Sequence, residues 1–247
     1  MDIAGQVAVV TGAGIGTGRA IALALAEAGA DVVVSDVDED GGRRTVADAG
    51  GRARFVPADL TDADDVQRLI DSAHPTILVN NAGGGGHIPP QFPDATPAQW
   101  GAVLDLNLRA PMLATQLALA PMQRAGGGAV VNVASTAGLG SEPYGSPEYG
   151  AAKAGLIRFT SALAAVDGVR VNCIVPDWVA TERVTAEERA TTPPPIPLDT
   201  VADAVLTLIR DDTLAGRALV LLRGGATRIG LSAAFSARRR RGARARR

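Results

Sequence analysis

Two residue types are almost missing from this sequence. Cysteine occurs once, as Cys173, and lysine once, as Lys153, in a chain with 24 basic residues. A single cysteine excludes a disulfide framework and fits a reducing compartment, so a cytoplasmic location is expected. Long apolar runs are also absent. The uncharged stretches 110–123 and 125–141 are too short, or too rich in glycine and polar residues, to span a bilayer. No basic segment followed by an apolar run opens the chain, so neither a signal peptide nor a membrane role is expected. No metal site is expected either.

Charge of one sign is missing locally. Residues 237–247, ARRRRGARARR, hold seven arginines and no acid, which leaves 17 of the 24 cations against 26 acids in the body, a net of −9. No aromatic residue interleaves with these arginines. The tail therefore reads as a disordered extension, and polyanion binding is the weaker alternative. An acidic body argues against nucleic acid as the main partner.

What is present is a regular alternation. Short apolar runs at 6–12, 31–36, 52–57, 76–80, 128–135, 169–175 and 217–222 predict strands. Helical stretches near 16–29, 40–49, 62–72, 97–124, 148–166 and 199–211 lie between them. Strands that are apolar throughout belong in a parallel sheet covered on both faces. Repeated β-α units with right-handed crossovers give a doubly wound sheet. The 247 residues and 47% hydrophobic content suit one such domain, taken as 1–236, with about seven strands and helices on both faces. Thr96-Pro97-Ala98-Gln99 carries an N-cap, a first-position proline and a capping-box glutamine.

The first strand turns into the first helix through TGAGIGTG, residues 11–18. Gly12, Gly14, Gly16 and Gly18, with Ile15 among them, allow a tight turn and a close approach of backbone to a pyrophosphate. The helix N-terminus then offers free N–H groups and partial positive charge. Asp36 ends the second strand twenty residues beyond Gly16, the spacing of an acid that accepts hydrogen bonds from an adenosine ribose. A carboxylate there repels a 2′-phosphate, so NAD is favoured over NADP. Asp59, beside Leu60, either reaches the adenine edge or caps its own loop.

Five motifs occur in order: TGAGIGTG, NNAG (80–83), VNVAS (131–135), YGAAK (149–153) and VPDWVAT (175–181). With them the chain resembles the short-chain dehydrogenase/reductase family from about residue 3 to 225. The resemblance implies a Rossmann-type domain, a homo-oligomer (tetramer or dimer), and a catalytic set of Asn107, Ser135, Tyr149 and Lys153. It also implies cofactor contacts from Asn81, Ala82, Gly83, Pro176, Val179 and Thr181, and from Tyr149 and Lys153. Asn107 would position a water that relays protons to Lys153, and Lys153 would hold the nicotinamide ribose.

The chemistry gives the lone lysine its reason. Tyr149 and Lys153 are four apart and share a helix face. Lowering a phenol's pKa from ~10 to neutrality takes ~4 kcal/mol, about what one cation ~4 Å away supplies at an effective dielectric of ~20. Arginine stays protonated and spreads its charge over a plane, so it cannot replace a compact ammonium that must also pass a proton. Ser135, at the end of a strand, could hydrogen-bond the substrate oxygen.

Four features depart from the family pattern. Asp177 follows Pro176 where glycine is usual; it either favours an oxidised nicotinamide ring or is a turn residue. The stretch from Ser135 to Tyr149 is one residue longer than the commonest spacing, leaving Thr136 as the fallback for the serine's role. The lid at roughly 182–198 is short and proline-rich, and Arg223 stands where an aspartate often precedes Gly-Gly. His87, Tyr144, Trp178 and the prolines of 193–197 are expected to line the substrate pocket; Tyr144 could instead pack.

The expected function is hydride transfer between a nicotinamide cofactor and a secondary alcohol or ketone, with Tyr149 as acid/base. A 3-oxoacyl thioester reductase and a non-catalytic NAD-binding regulator are the alternatives.

Overall fold

The computed structural model describes residues 1–85, 89–140 and 145–225, and the backbone of 227–230. The Arg-rich segment 237–247 and the expected substrate residues His87 and Tyr144 lie outside the described residues.

One sheet organises the chain. Its strands are β1 (Val7–Thr11), β2 (Asp31–Asp36), β3 (Ala53–Pro57), β4 (Ile77–Asn80), β5 (Gly128–Val133), β6 (Val169–Pro176), β7 (Ala218–Leu221) and β8 (Thr227–Gly230), in the order β3-β2-β1-β4-β5-β6-β7-β8. The first seven are parallel. β8 adds an antiparallel edge to β7, one strand more than the sequence predicts. Gly224 and Gly225, both at positive φ, supply the reversal between them.

The helices are α1 (Gly16–Glu27), α2 (Glu39–Asp48), α3 (Ala63–Ala73), α4 (Pro97–Leu104), α5 (Ala110–Arg124), α6 (Pro147–Ala162), α7 (Ala186–Arg189) and α8 (Leu198–Arg210). Strand residues alternate between the two faces. Ala8, Val10, Val32 and Val34 pack with Ile21 and Leu25 of α1 and Val205 and Ile209 of α8. Val9, Val33, Leu78 and Val130 pack with Leu69 and Ile70 of α3 and Ala114, Ala118 and Met122 of α5. Each fully buried Leu, Ile or Val stabilises the fold by about 1.5–3 kcal/mol, so truncating Leu25 in the last turn of α1 is expected to cost ~2–5 kcal/mol. No helix among the described residues is long and apolar enough to cross a membrane.

The stretch read as one helix over 97–124 is not continuous. α4 passes through a π-helical turn, Asp105–Arg109, before α5 begins. The cause lies in the sequence: Pro111 has no N–H to donate to the carbonyl of Asn107, its ordinary i−4 acceptor. π-turns concentrate at functional sites, and this one carries Asn107.

The lid region, roughly 182–198, contains a short helix, α7, opened by a complete capping box between Thr185 and Glu188, and Ile196 bridges back to Val179.

Candidate active site

β1 and β4 are neighbours in the sheet, yet their chain connections leave in opposite directions, so a crevice opens beyond their carboxyl ends. A cavity of about 790 Å³ occupies this edge. Sixteen of the expected site residues line it: Gly12, Ile15, Gly16, Gly18, Asp36, Asp59, Leu60, Asn81, Ala82, Gly83, Ser135, Tyr149, Lys153, Pro176, Val179 and Thr181. Gly14, Asn107 and Trp178 do not line it.

The turn after β1 is held by groups far away in the sequence. Thr11 Oγ1 accepts the N–H groups of Asn81 and Ala82 at 3.0 and 3.1 Å. Asn81 Nδ2 donates to the carbonyls of Thr11 and Gly12. A Cβ on Gly18 would run into Gly12 O and Asn81 Nδ2, so this contact between turn and helix tolerates only glycine. Thr45 of α2, fully buried, donates to Ala13 O at 2.9 Å. No local pattern in the sequence marks Thr45 for this role.

Gly14 lies outside the cavity because it seats the acid. Its N–H donates to Asp36 Oδ2 at 2.8 Å, and Asp38 N–H donates to Asp36 Oδ1 at 3.0 Å. Asp38 is itself paired with Arg44 at 3.8 Å. Asp59 performs the loop-capping role: its Oδ1 accepts both the N–H and the hydroxyl of Thr61, and these bonds hold its pKa below the ordinary value.

At the other end of the cavity, α6 presents Tyr149 and Lys153. Lys153 is 3% exposed and donates to Val133 O at 3.0 Å. Burial pushes its pKa down to about 8, so the ammonium still prevails at neutral pH. Its Nζ lies 5.6 Å from the centre of the Tyr149 ring. Asn107 is fully buried and spans the back of this group: Nδ2 donates to Gly84 O and Val103 O, and Oδ1 accepts Gly84 N–H at 3.0 Å. A Cβ on Gly83 would lie 2.6 Å from Asn107 Oδ1 and 3.0 Å from Lys153 Nζ. Glycine at 83 thus lets the two polar side chains converge.

Ser135 Oγ accepts Ala137 N–H at 3.2 Å and faces the cavity, which Thr136 does not line. Of the two candidate positions, Ser135 is therefore the one on the cavity wall. Behind the site, Asn80 donates to Asn132, and Asn132 donates to Thr160 on α6. This buried chain ties β4 and β5 to the helix that carries Tyr149 and Lys153.

The family departures sort themselves in space. Asp177 lines the cavity, but Arg223 Nε binds its Oδ2 at 3.1 Å, so it does not present an unopposed negative charge. The Arg223 guanidinium also lies 5.9 Å from the centre of the Trp178 ring, which stands outside the cavity. Pro193 lies near Gly224 rather than on the cavity wall. Glu182 and Arg183, unremarked in the sequence, both line it. Cys173 is buried, its thiol pushed up to about 12 by desolvation, and plays no part at this edge. No metal-holding cluster of His, Cys, Asp or Glu occurs among the described residues.

Comparison with known proteins agrees with this architecture. The family described as short chain dehydrogenase matches residues 6–192. A cis-4-hydroxycyclohexanecarboxylate dehydrogenase of Sinomonas cyclohexanicum is 38% identical over 92% of this chain and 98% of its own length. Among solved structures, a short chain dehydrogenase/reductase family protein superimposes with a TM-score of 0.82 at 33% identity, covering 91% of this chain and 98% of the other. An actinorhodin polyketide ketoreductase determined with NADPH gives 0.80 at 28% identity over 89% and 97%. The family match extends over well more than half of the sequence, and the chain belongs to the short-chain dehydrogenase family of oxidoreductases.

Proposed function

We propose that this protein interconverts a secondary alcohol and a ketone with NAD, using Tyr149 as the acid/base. The observation that carries the reading is the convergence of Tyr149, Lys153 and Ser135 on the cavity that also holds the glycine turn and Asp36.

The residues fit a dinucleotide. The N–H of Gly16, at the start of α1, already holds a carboxylate, that of Glu182, at 3.3 Å, so this helix end accepts an anion. Asp36 stands at the end of β2 with both oxygens fixed by backbone N–H groups. When bound, the nicotinamide would supply or accept the hydride. Ser135 Oγ would hold the substrate oxygen, and Tyr149 would give or take the proton there. Lys153, anchored on Val133 O, would favour the tyrosinate and hold the ribose, with Asn107 bracing the wall that connects them.

Asp36 supports NAD over NADP, since its carboxylate is in no ion pair among the described residues and would repel a 2′-phosphate. The relative that acts on cis-4-hydroxycyclohexanecarboxylate is named for a secondary ring alcohol, the same chemistry. The structural likeness to a polyketide ketoreductase with NADPH favours a second reading, reduction of a 3-oxoacyl thioester. One panel separates them: purified protein with NAD or NADP against secondary alcohols, ketones and 3-oxoacyl thioesters, followed at the NADH absorbance. Turnover of simple alcohols with NAD supports the first reading. Turnover of thioesters alone with NADPH would replace it, and cofactor binding without any turnover would favour a regulator.

A further inference from the structure

α1 lacks the anion that a helix N-terminus normally recruits from its own chain. Its cap position, Ile15, makes no side-chain capping bond, and no acid occurs in its first turn. The vacancy is filled from the lid, 166 residues away, by Glu182 Oε1 on Gly16 N–H at 3.3 Å. A Cβ placed on Gly16 would lie 3.4 Å from Glu182 Oε2 and from Thr181 Cγ2, so the lid rests directly on the glycine turn. The segment is tethered there, because Arg189 of α7 donates to the carbonyls of Ala180 and Thr181.

The cavity is poorly balanced for an anionic guest. Its lining includes five acids, Asp36, Asp38, Asp59, Asp177 and Glu182, against two cations, Lys153 and Arg183. Arg44 offsets Asp38 and Arg223 offsets Asp177. Glu182 has no such partner among the described residues.

We propose that Glu182 is a built-in competitor for the phosphate subsite: its carboxylate stands where a diphosphate must sit, and it sets the affinity for the cofactor by having to leave. This inference rests on the dinucleotide reading given above. Because the competing contact is intramolecular, apparent affinity falls by the fraction of molecules in which the subsite is open. An anion at an exposed helix N-terminus accounts for a bias of about fivefold.

The test is calorimetric titration of the wild type, Glu182→Gln and Glu182→Asp with ADP-ribose, which carries the diphosphate, and with adenosine, which does not. Glu182→Gln should bind ADP-ribose about fivefold more tightly and adenosine unchanged. Glu182→Asp, too short to reach Gly16 yet still charged, should fall on the side of Gln. Equal ADP-ribose affinities in wild type and Glu182→Gln, or a gain shared by adenosine, would overturn the inference, as would an Asp variant identical to wild type. ADP-ribose binding by none of the three proteins would instead bring down the dinucleotide reading, and the inference with it.

Discussion

The two ends of the cavity are built in different ways. At the glycine-turn end, side chains bond to backbone groups of neighbouring segments: Thr11 to Asn81 and Ala82, Asp36 to Gly14, Thr45 to Ala13. At the β6–β7 end, a charged pair makes the contact: Asp177 with Arg223. Backbone cradles admit few substitutions, whereas paired side chains can be exchanged together. Both Asp177 and Arg223 depart from the family pattern, and they meet as partners across adjacent strands.

The largest expected effect lies at Lys153. Lys153→Arg should lose turnover by ~10³-fold or more, because the buried site facing Val133 O has room for a compact ammonium and the relay needs a group that can release its proton. Lys153→Met should lose turnover equally but gain stability at pH 7 by on the order of 1–3 kcal/mol, since burying the charge is costly. The sign of the pH dependence follows from a folded-state pKa near 8 against the ordinary 10.5. Between those values the unfolded chain binds more protons, so wild-type stability from this source rises with pH. The advantage of the Met variant in thermal melts should therefore shrink as pH rises from 8 to above 10.5. An advantage that grew over that window would contradict the desolvation account.

A smaller effect is expected at the rigid end. Asp36→Ala removes the repulsion towards a 2′-phosphate, so the NAD:NADP ratio of kcat/KM should fall by about tenfold, on the order of 1.4 kcal/mol. The smallest is expected at the exchangeable end. Each partner of the Asp177–Arg223 pair is 32% exposed, and a double-mutant cycle with Asp177→Gly and Arg223→Ala should give a coupling of about 0.5–1 kcal/mol. Purely additive effects would remove the compensation argument and leave the two departures unrelated.

The same division explains what the sequence disclosed. The glycine turn, Asp36, Asn81 and the Tyr149–Lys153 pair were legible because each is a local pattern, fixed by helix spacing or by a strand-to-helix turn. Asp177 and Arg223 are 46 residues apart and meet only because β6 and β7 are adjacent. Glu182 reaches Gly16 across 166 residues, through a lid whose path no periodicity encodes. Two local signals were present and passed over. Thr185 and Glu188 spell the capping box of α7, and the Gly-Gly pair before residues 227–230 marks the β7–β8 reversal. The π-turn at Asn107 was readable in principle from Pro111 inside a helical stretch.

In the proposed function Tyr149 moves the proton while the rest of the site binds. Its most direct test compares wild type with Tyr149→Phe on one alcohol that the panel identifies, measuring kcat and, separately, the dissociation constant for NAD. The expected result is a kcat lowered by ~10³-fold or more with NAD binding within about twofold of wild type. A Tyr149→Phe enzyme that keeps wild-type kcat would contradict the account.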